Sequence, residues 1–219
     1  MGSGSLISRR PLRENLSDKA LDVVGVPKHM RDKSISDFDT YGIRSLSDVK
    51  KYITNYLSDM DSRFIENKGL FLYGSNGVGK TFIGSMIVKE AYRWRYSTKR
   101  VSFADYVQQY TRTWDATGIE QREELESVLY TEYKAVEFLC LEEIGKEIDT
   151  KIAAPILEDL LRYREDKHLP TIVCTNLDID TVEERYGYSI VSLIKGNMTP
   201  ILIEGEDKRS NYYVDRTTS

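Results

Sequence analysis

Apolar and polar positions change their period along this chain, and the changes mark out its elements. From Ser45 onward Val49, Tyr52, Ile53, Tyr56, Leu57 and Met60 recur at helical spacing, which predicts a packed helix. An unbroken apolar run, "GLFLY" at 69–73, follows it and reads as a strand covered on both faces. After this the chain alternates. Thr81 to about Tyr96 reads as a helix, "RVSF" at 100–103 as a strand, and Tyr106 to about Tyr133 as helix interrupted at "DATG". "AVEFLCL" at 135–141 gives a third strand, Pro155–Asp166 a helix with proline in its first turn, and "TIVCT" at 171–175 a fourth strand. Two short helices and "PILIEG" at 200–205 close the series. Such alternation predicts an α/β fold, a parallel sheet with helices on both faces, and ligands at the carboxyl ends of the strands.

Residues 6–43 break this pattern, being polar, containing Pro11 and Pro27, and offering only short apolar pieces such as "LDVVGV". They suggest an N-terminal arm over 1–43 with one short helix, before a compact domain over 44–209 and a tail over 210–219. The opening "MGSGS" reads as a cloning or linker remnant. With 219 residues, 40% hydrophobic and 30% charged, the chain can build one well-buried core. No apolar run approaches the roughly 18 residues of a membrane-spanning helix, so a cytoplasmic protein with no membrane partner is expected. The formal net charge of −4 means that any nucleic-acid contact must come from a local patch. Cys140 and Cys174 lie inside apolar runs and there is no C-x-x-C pair, so both read as core thiols and zinc is not expected.

The candidate chemistry lies at the strand ends. "FLYGSNGVGKT" at 71–81 fits G-x-x-x-x-G-K-[ST] between a predicted strand and a predicted helix. Gly74, Ser75, Asn76, Gly77, Val78 and Gly79 would wrap nucleotide phosphates with backbone N–H groups. Lys80 would neutralise β and γ oxygens, and Thr81 would offer its hydroxyl to magnesium. The third strand ends in "LEEIGKE". In P-loop ATPases of the additional-strand class the first acid of such a pair holds the metal shell and the second polarises the attacking water. Glu142 and Glu143 would take these roles, although the first acid is usually the shorter Asp. Asn176, closing the fourth strand, would hold that water beside the γ-phosphate; its alternative reading is a turn residue.

Five pieces together, "GVPKHMRDKSISDFD", "LFLYGSNGVGKT", "LCLEEIGKE", "LLRYREDKHLPTIVCTNLDIDTVEERYG" and "ILIEGEDKR", resemble the DnaC/DnaI-type helicase loaders, relatives of the IstB-type transposition ATPases. The resemblance covers about residues 25–209. It implies a P-loop ATPase core of the AAA+ class without a separate helical lid. It further implies ATP and magnesium as cofactors, a hexameric replicative helicase and single-stranded DNA as partners, and self-assembly of the chain. Two departures stand out. Where the family pattern G-x-x-I-x-S-R-L carries an arginine that reaches a neighbouring subunit's nucleotide, "GYSIVSLIKG" has Leu193, leaving Arg185, Lys195 or Arg209 as candidate trans-acting cations. The family's N-terminal helicase-binding domain is matched here only by the arm.

A DNA-facing surface is expected from "FADYVQQYTRTWD", which puts Tyr106, Tyr110, Arg112 and Trp114 within nine residues. Aromatic rings stack on bases and arginine meets phosphate. Their spacing of four fits a helical core stripe equally well. "YRWRYSTKR" at 92–100 reads as a solvated helix end. Besides helicase loading, the sequence leaves open a transposition helper on duplex DNA, a small-molecule or nucleotide kinase, and an ATP-binding adaptor that does not hydrolyse.

Overall fold

In the computed structural model, which describes residues 9–12, 16–147 and 149–205, five strands form one fully parallel sheet in the order β2-β3-β4-β1-β5. They are β1 Gly69–Tyr73, β2 Thr98–Ser102, β3 Phe138–Ile144, β4 Thr171–Thr175 and β5 Met198–Leu202. Alternation along each strand sorts its side chains to two faces. Leu70, Leu72, Cys140, Ile172 and Cys174 enter one apolar cluster, whereas Phe71, Leu139, Leu141 and Val173 enter the other. The first face is covered by α2 (Arg44–Leu57), α3 (Met60–Ile65) and α4 (Lys80–Arg93). The second is covered by α5 (Phe103–Arg112), α7 (Thr150–Asp166), α8 (Ile179–Tyr186) and α9 (Tyr188–Asn197). This is the expected parallel sheet with helices on both faces, and among the described residues no helix follows β5.

Several boundaries differ from the sequence pattern for physical reasons. β3 runs three residues past "LCL", through both acids, because its ladder with β4 continues to Ile144 across an irregularity between Glu142 and Ile144. The helix expected to start at Pro155 starts at Thr150, capped by the Asp149 carboxylate, which accepts from Lys151 N at 2.9 Å. Pro155 therefore sits inside α7 and gives up one ladder bond. The predicted interruption at "DATG" is present between α5 and α6 (Ile119–Leu129).

The largest difference is at the front. The segment 16–43, expected as an arm ahead of the domain, carries α1 (Asp18–Val23) and two single 3-10 turns, Lys28–Met30 and Ile35–Asp37. Its Leu21, Val24, Val26 and Phe38 belong to the same apolar cluster as α2 and α4. Arg100 N donates to Val24 O at 2.8 Å, so the segment lies along the edge strand β2. These residues are part of the compact body, because burying four large apolar side chains outweighs what the polar composition around them suggests.

Candidate functional site

Beyond the carboxyl end of β1 the chain turns through Gly74, Gly77 and Gly79, with φ of 139°, 75° and 107°. Glycine adopts these values without strain. A Cβ on Gly74 would also lie 2.2 Å from Ile203 O, so no larger residue fits there. Val78 is fully buried and pins the loop to the core. Lys80 opens α4, and its Nζ donates to Gly74 O at 2.8 Å and Ser75 O at 2.6 Å. The first turn of α4, with its positive dipole end, thus faces the loop's own concavity, an arrangement suited to phosphate. Ser75 leans instead on Gly205 O at 3.4 Å.

The loop forms one wall of a cleft of about 370 Å³. Asn76, Gly77, Gly79, Lys80, Thr81 and Phe82 line it from the loop side, and Glu142, Glu143 and Lys146 from the end of β3. Cys174, Thr175 and Asn176 close it from β4, and Pro27, His29 and Met30 from the N-terminal segment. The segment belongs to the piece "GVPKHMRDKSISDFD" that carries the family resemblance, but no local pattern in it marks His29 or its neighbours as lining a cleft. Their role in the cleft arises from tertiary packing alone.

Glu142 is 3% exposed and held at both oxygens. Thr81 Oγ1 donates to Oε2 at 2.7 Å, and Arg100 Nε lies 3.1 Å from Oε1. Arg100 also donates from Nη1 to Gly25 O at 3.0 Å. The hydroxyl–carboxylate pair is an all-oxygen donor set beside a phosphate-shaped loop, which fits magnesium. Arg100 closes the run read as a solvated helix end, yet its guanidinium lies against the buried carboxylate. Glu143, next in sequence, adopts φ 61° at the irregularity in the ladder, a left-handed conformation that costs of order 1 kcal/mol or more. The turn carries its side chain to the exposed rim, where Oε1 pairs with Lys146 Nζ at 2.5 Å. Asn176 is exposed on the opposite rim.

Beneath the cleft, Cys140 Sγ and Cys174 Sγ stand 3.9 Å apart, and Cys174 Sγ is 3.7 Å from Lys80 O. The hydrogen bond with Cys140, together with burial, pushes the Cys174 thiol well above its ordinary range. Gly84 of α4 leaves the space for these groups, since a Cβ there would lie 2.8 Å from Cys140 Sγ and 2.9 Å from Glu142 Oε1.

The remaining candidates separate. Tyr106, expected on a DNA surface, is fully buried in the second apolar cluster, so that expectation is corrected: the helical spacing marks core at this position. Tyr110 is half-buried against it, and Arg112 and Trp114 are exposed. Rings at 106, 110 and 114 form a ladder from core to surface, with centroids 6.4 and 6.0 Å apart. Arg185 is tied to the buried Glu147, its Nη2 3.0 Å from Oε1. Tyr186 OH donates to the same carboxylate oxygen. Lys195 is exposed on α9, whereas Leu193 on the same helix is buried. Arg209 lies outside the described residues.

No family model matches the chain. Among curated proteins it is 27% identical over 172 residues to the replicative helicase loader DnaI of Bacillus subtilis (strain 168), a match covering 73% of this chain and 53% of the relative. This chain resembles the DnaC/DnaI-type helicase loaders. The crystal structure of the DnaC helicase loader superposes with a TM-score of 0.67 at 20% identity, covering 81% of this chain and all of that one. The replication initiator DnaA bound to AMPPCP and single-stranded DNA gives 0.64 at 16% identity, over 84% of this chain and 52% of that one. The fold is that of these structures, a parallel α/β sheet with a glycine-rich P-loop after its first strand. The chain spans about half the length of the curated relative it matches.

Proposed function

We propose that the loader-like chain binds ATP with magnesium in the 370 Å³ cleft and uses the nucleotide to place a hexameric replicative helicase on single-stranded DNA. The similarity to DnaI over 73% of the chain carries the loader reading. The Thr81–Glu142 pair beside the P-loop supports the nucleotide chemistry. Backbone N–H groups of 74–79 and the Lys80 ammonium bind the phosphates. Thr81 and Glu142 would hold magnesium, which when bound would screen the negative charge of the phosphates. Glu143, released from Lys146, accepts a proton from the attacking water, and Asn176 orients that water. Pro27, His29 and Met30 supply the wall for the base.

An AAA+ site is completed by a cation from a neighbouring copy, so self-assembly belongs to this reading. Of the candidates, exposed Lys195 is better placed than Arg185, which already serves Glu147. A second reading, an adaptor that binds ATP without turning it over, is favoured by the Glu143–Lys146 pair, which occupies the candidate base. Co-purification with a hexameric replicative helicase, with and without ATP, tests the loader reading. Retention that depends on ATP is expected, and absence of any association overturns it. Tight ATP binding without phosphate release in the assembled complex would select the adaptor.

A further inference from the structure

We infer that Arg100 is a positioning residue for the metal-binding carboxylate: it holds Glu142 Oε1 so that Oε2 is presented to Thr81, and it links that carboxylate to the segment lining the base side of the cleft. This inference rests on the assignment of Glu142 to magnesium proposed above.

The geometry carries it in three steps. A carboxylate as buried as Glu142 is costly unless its charge is met, and Arg100 Nε at 3.1 Å meets it at Oε1 only. Oε2 is thereby left facing the Thr81 hydroxyl at 2.7 Å. Glutamate also has one more rotatable bond than the aspartate usual at this place, so its carboxylate needs an anchor that an aspartate would not. Arg100 provides that anchor from β2, the neighbouring strand, where Ser102 is paired with Glu142.

The arginine is itself fixed from the other side. Its Nη1 donates to Gly25 O at 3.0 Å, and its main-chain N donates to Val24 O at 2.8 Å. Gly25 is obligatory here, with φ 86°, and a Cβ on it would lie only 2.3 Å from Arg100 O. Two residues further on, Pro27 enters the cleft wall. A shift of this segment on nucleotide binding would therefore be felt at Glu142 through one guanidinium.

Titration of a fluorescent ATP analogue at graded magnesium concentrations, and in EDTA, tests the inference. Arg100→Met should raise the magnesium midpoint by about 10- to 100-fold, the usual effect of removing a group that orients a metal ligand, and by more than it weakens metal-free binding. Arg100→Lys should recover part of the loss, which also shows that the site still folds. In a Glu142→Asp background the shorter carboxylate retreats from Arg100, so adding Arg100→Met should have a much smaller effect. Equal losses with and without magnesium, or fully additive effects in the double variant, would overturn the inference. If Glu142→Gln raises the midpoint while Arg100→Met does not, Arg100 alone is excluded. If wild-type binding shows no magnesium dependence, the assignment of Glu142 falls and this inference falls with it.

Discussion

Thr81 and Glu142, 61 positions apart, meet at 2.7 Å. Thr81 lies in the first turn of the helix after β1 and Glu142 near the end of β3, and the two strands are separated in the sheet by β4. The parallel crossovers bring both to the carboxyl end of the sheet, where hydroxyl, carboxylate and P-loop surround one small space.

Lys80 is held against two carbonyls of its own loop, so phosphate oxygens arriving there meet a positioned ammonium. Lys80→Ala should reduce ATP affinity by at least about 100-fold, the loss of a charge-assisted contact of about 3 kcal/mol. Calorimetric titration with ATP and magnesium measures it. Unchanged affinity would sink the P-loop assignment.

Glu143 should behave differently from its neighbour. Its side chain lies on the rim and pairs with Lys146, so Glu143→Gln removes the proton acceptor while leaving the loop intact. ATP affinity should stay within about twofold and turnover should fall by about 100-fold or more. Phosphate release, measured with DNA and helicase present, checks this. Hydrolysis at the parent rate would show that another group activates the water.

The aromatic ladder offers a graded test. Tyr106→Ala should destabilise the fold by about 3–5 kcal/mol, as large core truncations do. The Tyr106 hydroxyl is buried without a hydrogen-bond partner among the described residues. Tyr106→Phe should therefore raise the thermal midpoint, by the relief of an unmet polar group worth about 1 kcal/mol. Trp114→Ala and Arg112→Ala should leave the midpoint nearly unchanged while weakening single-strand binding, and Arg112→Ala should flatten its salt dependence. If both leave binding and salt slope untouched, the DNA surface lies elsewhere.

That ladder also shows what a sequence can reveal. "GLFLY" and "TIVCT" coincide with β1 and β4 residue for residue, because a short apolar run bounded by glycine, proline or asparagine has few other uses in an alternating fold. Tyr106, Tyr110 and Trp114 share a spacing compatible with both core and surface, and only the packing of α5 separates them. The end of β3 is hidden from the pattern because two acids look like the end of a strand. One of them is kept inside by Arg100 and Thr81, partners 42 and 61 positions away. That Arg100 and the 27–30 segment meet the cleft is illegible for the same reason, although the segment lies in a piece that carries the family resemblance, since both depend on an edge-strand contact with no local period.

The last expectation separates the candidate trans-acting cations. Leu193 is packed in the second apolar cluster, so Leu193→Arg would bury an unpaired charge and should destabilise the fold by several kcal/mol, about 3 or more, rather than supply a working cation. Arg185→Ala should also lower stability, because Glu147 is 3% exposed and would lose its only ion-pair partner among the described residues. Tyr186 OH and Gly145 N still bond to that carboxylate, and Arg185 is about one-third exposed, so the loss should be nearer 1–2 kcal/mol than the full value for a broken buried pair. A drop in ATP turnover from Arg185→Ala would then come with a lowered thermal midpoint. Lys195 is exposed and close to Leu193 on α9; Lys195→Ala should leave the midpoint unchanged. If it supplies charge to a neighbour's nucleotide, turnover by the assembled protein should fall by about 10³-fold, the low end of what such a cation contributes, with ATP affinity nearly intact. Unchanged turnover in Lys195→Ala would remove α9 from the shared site.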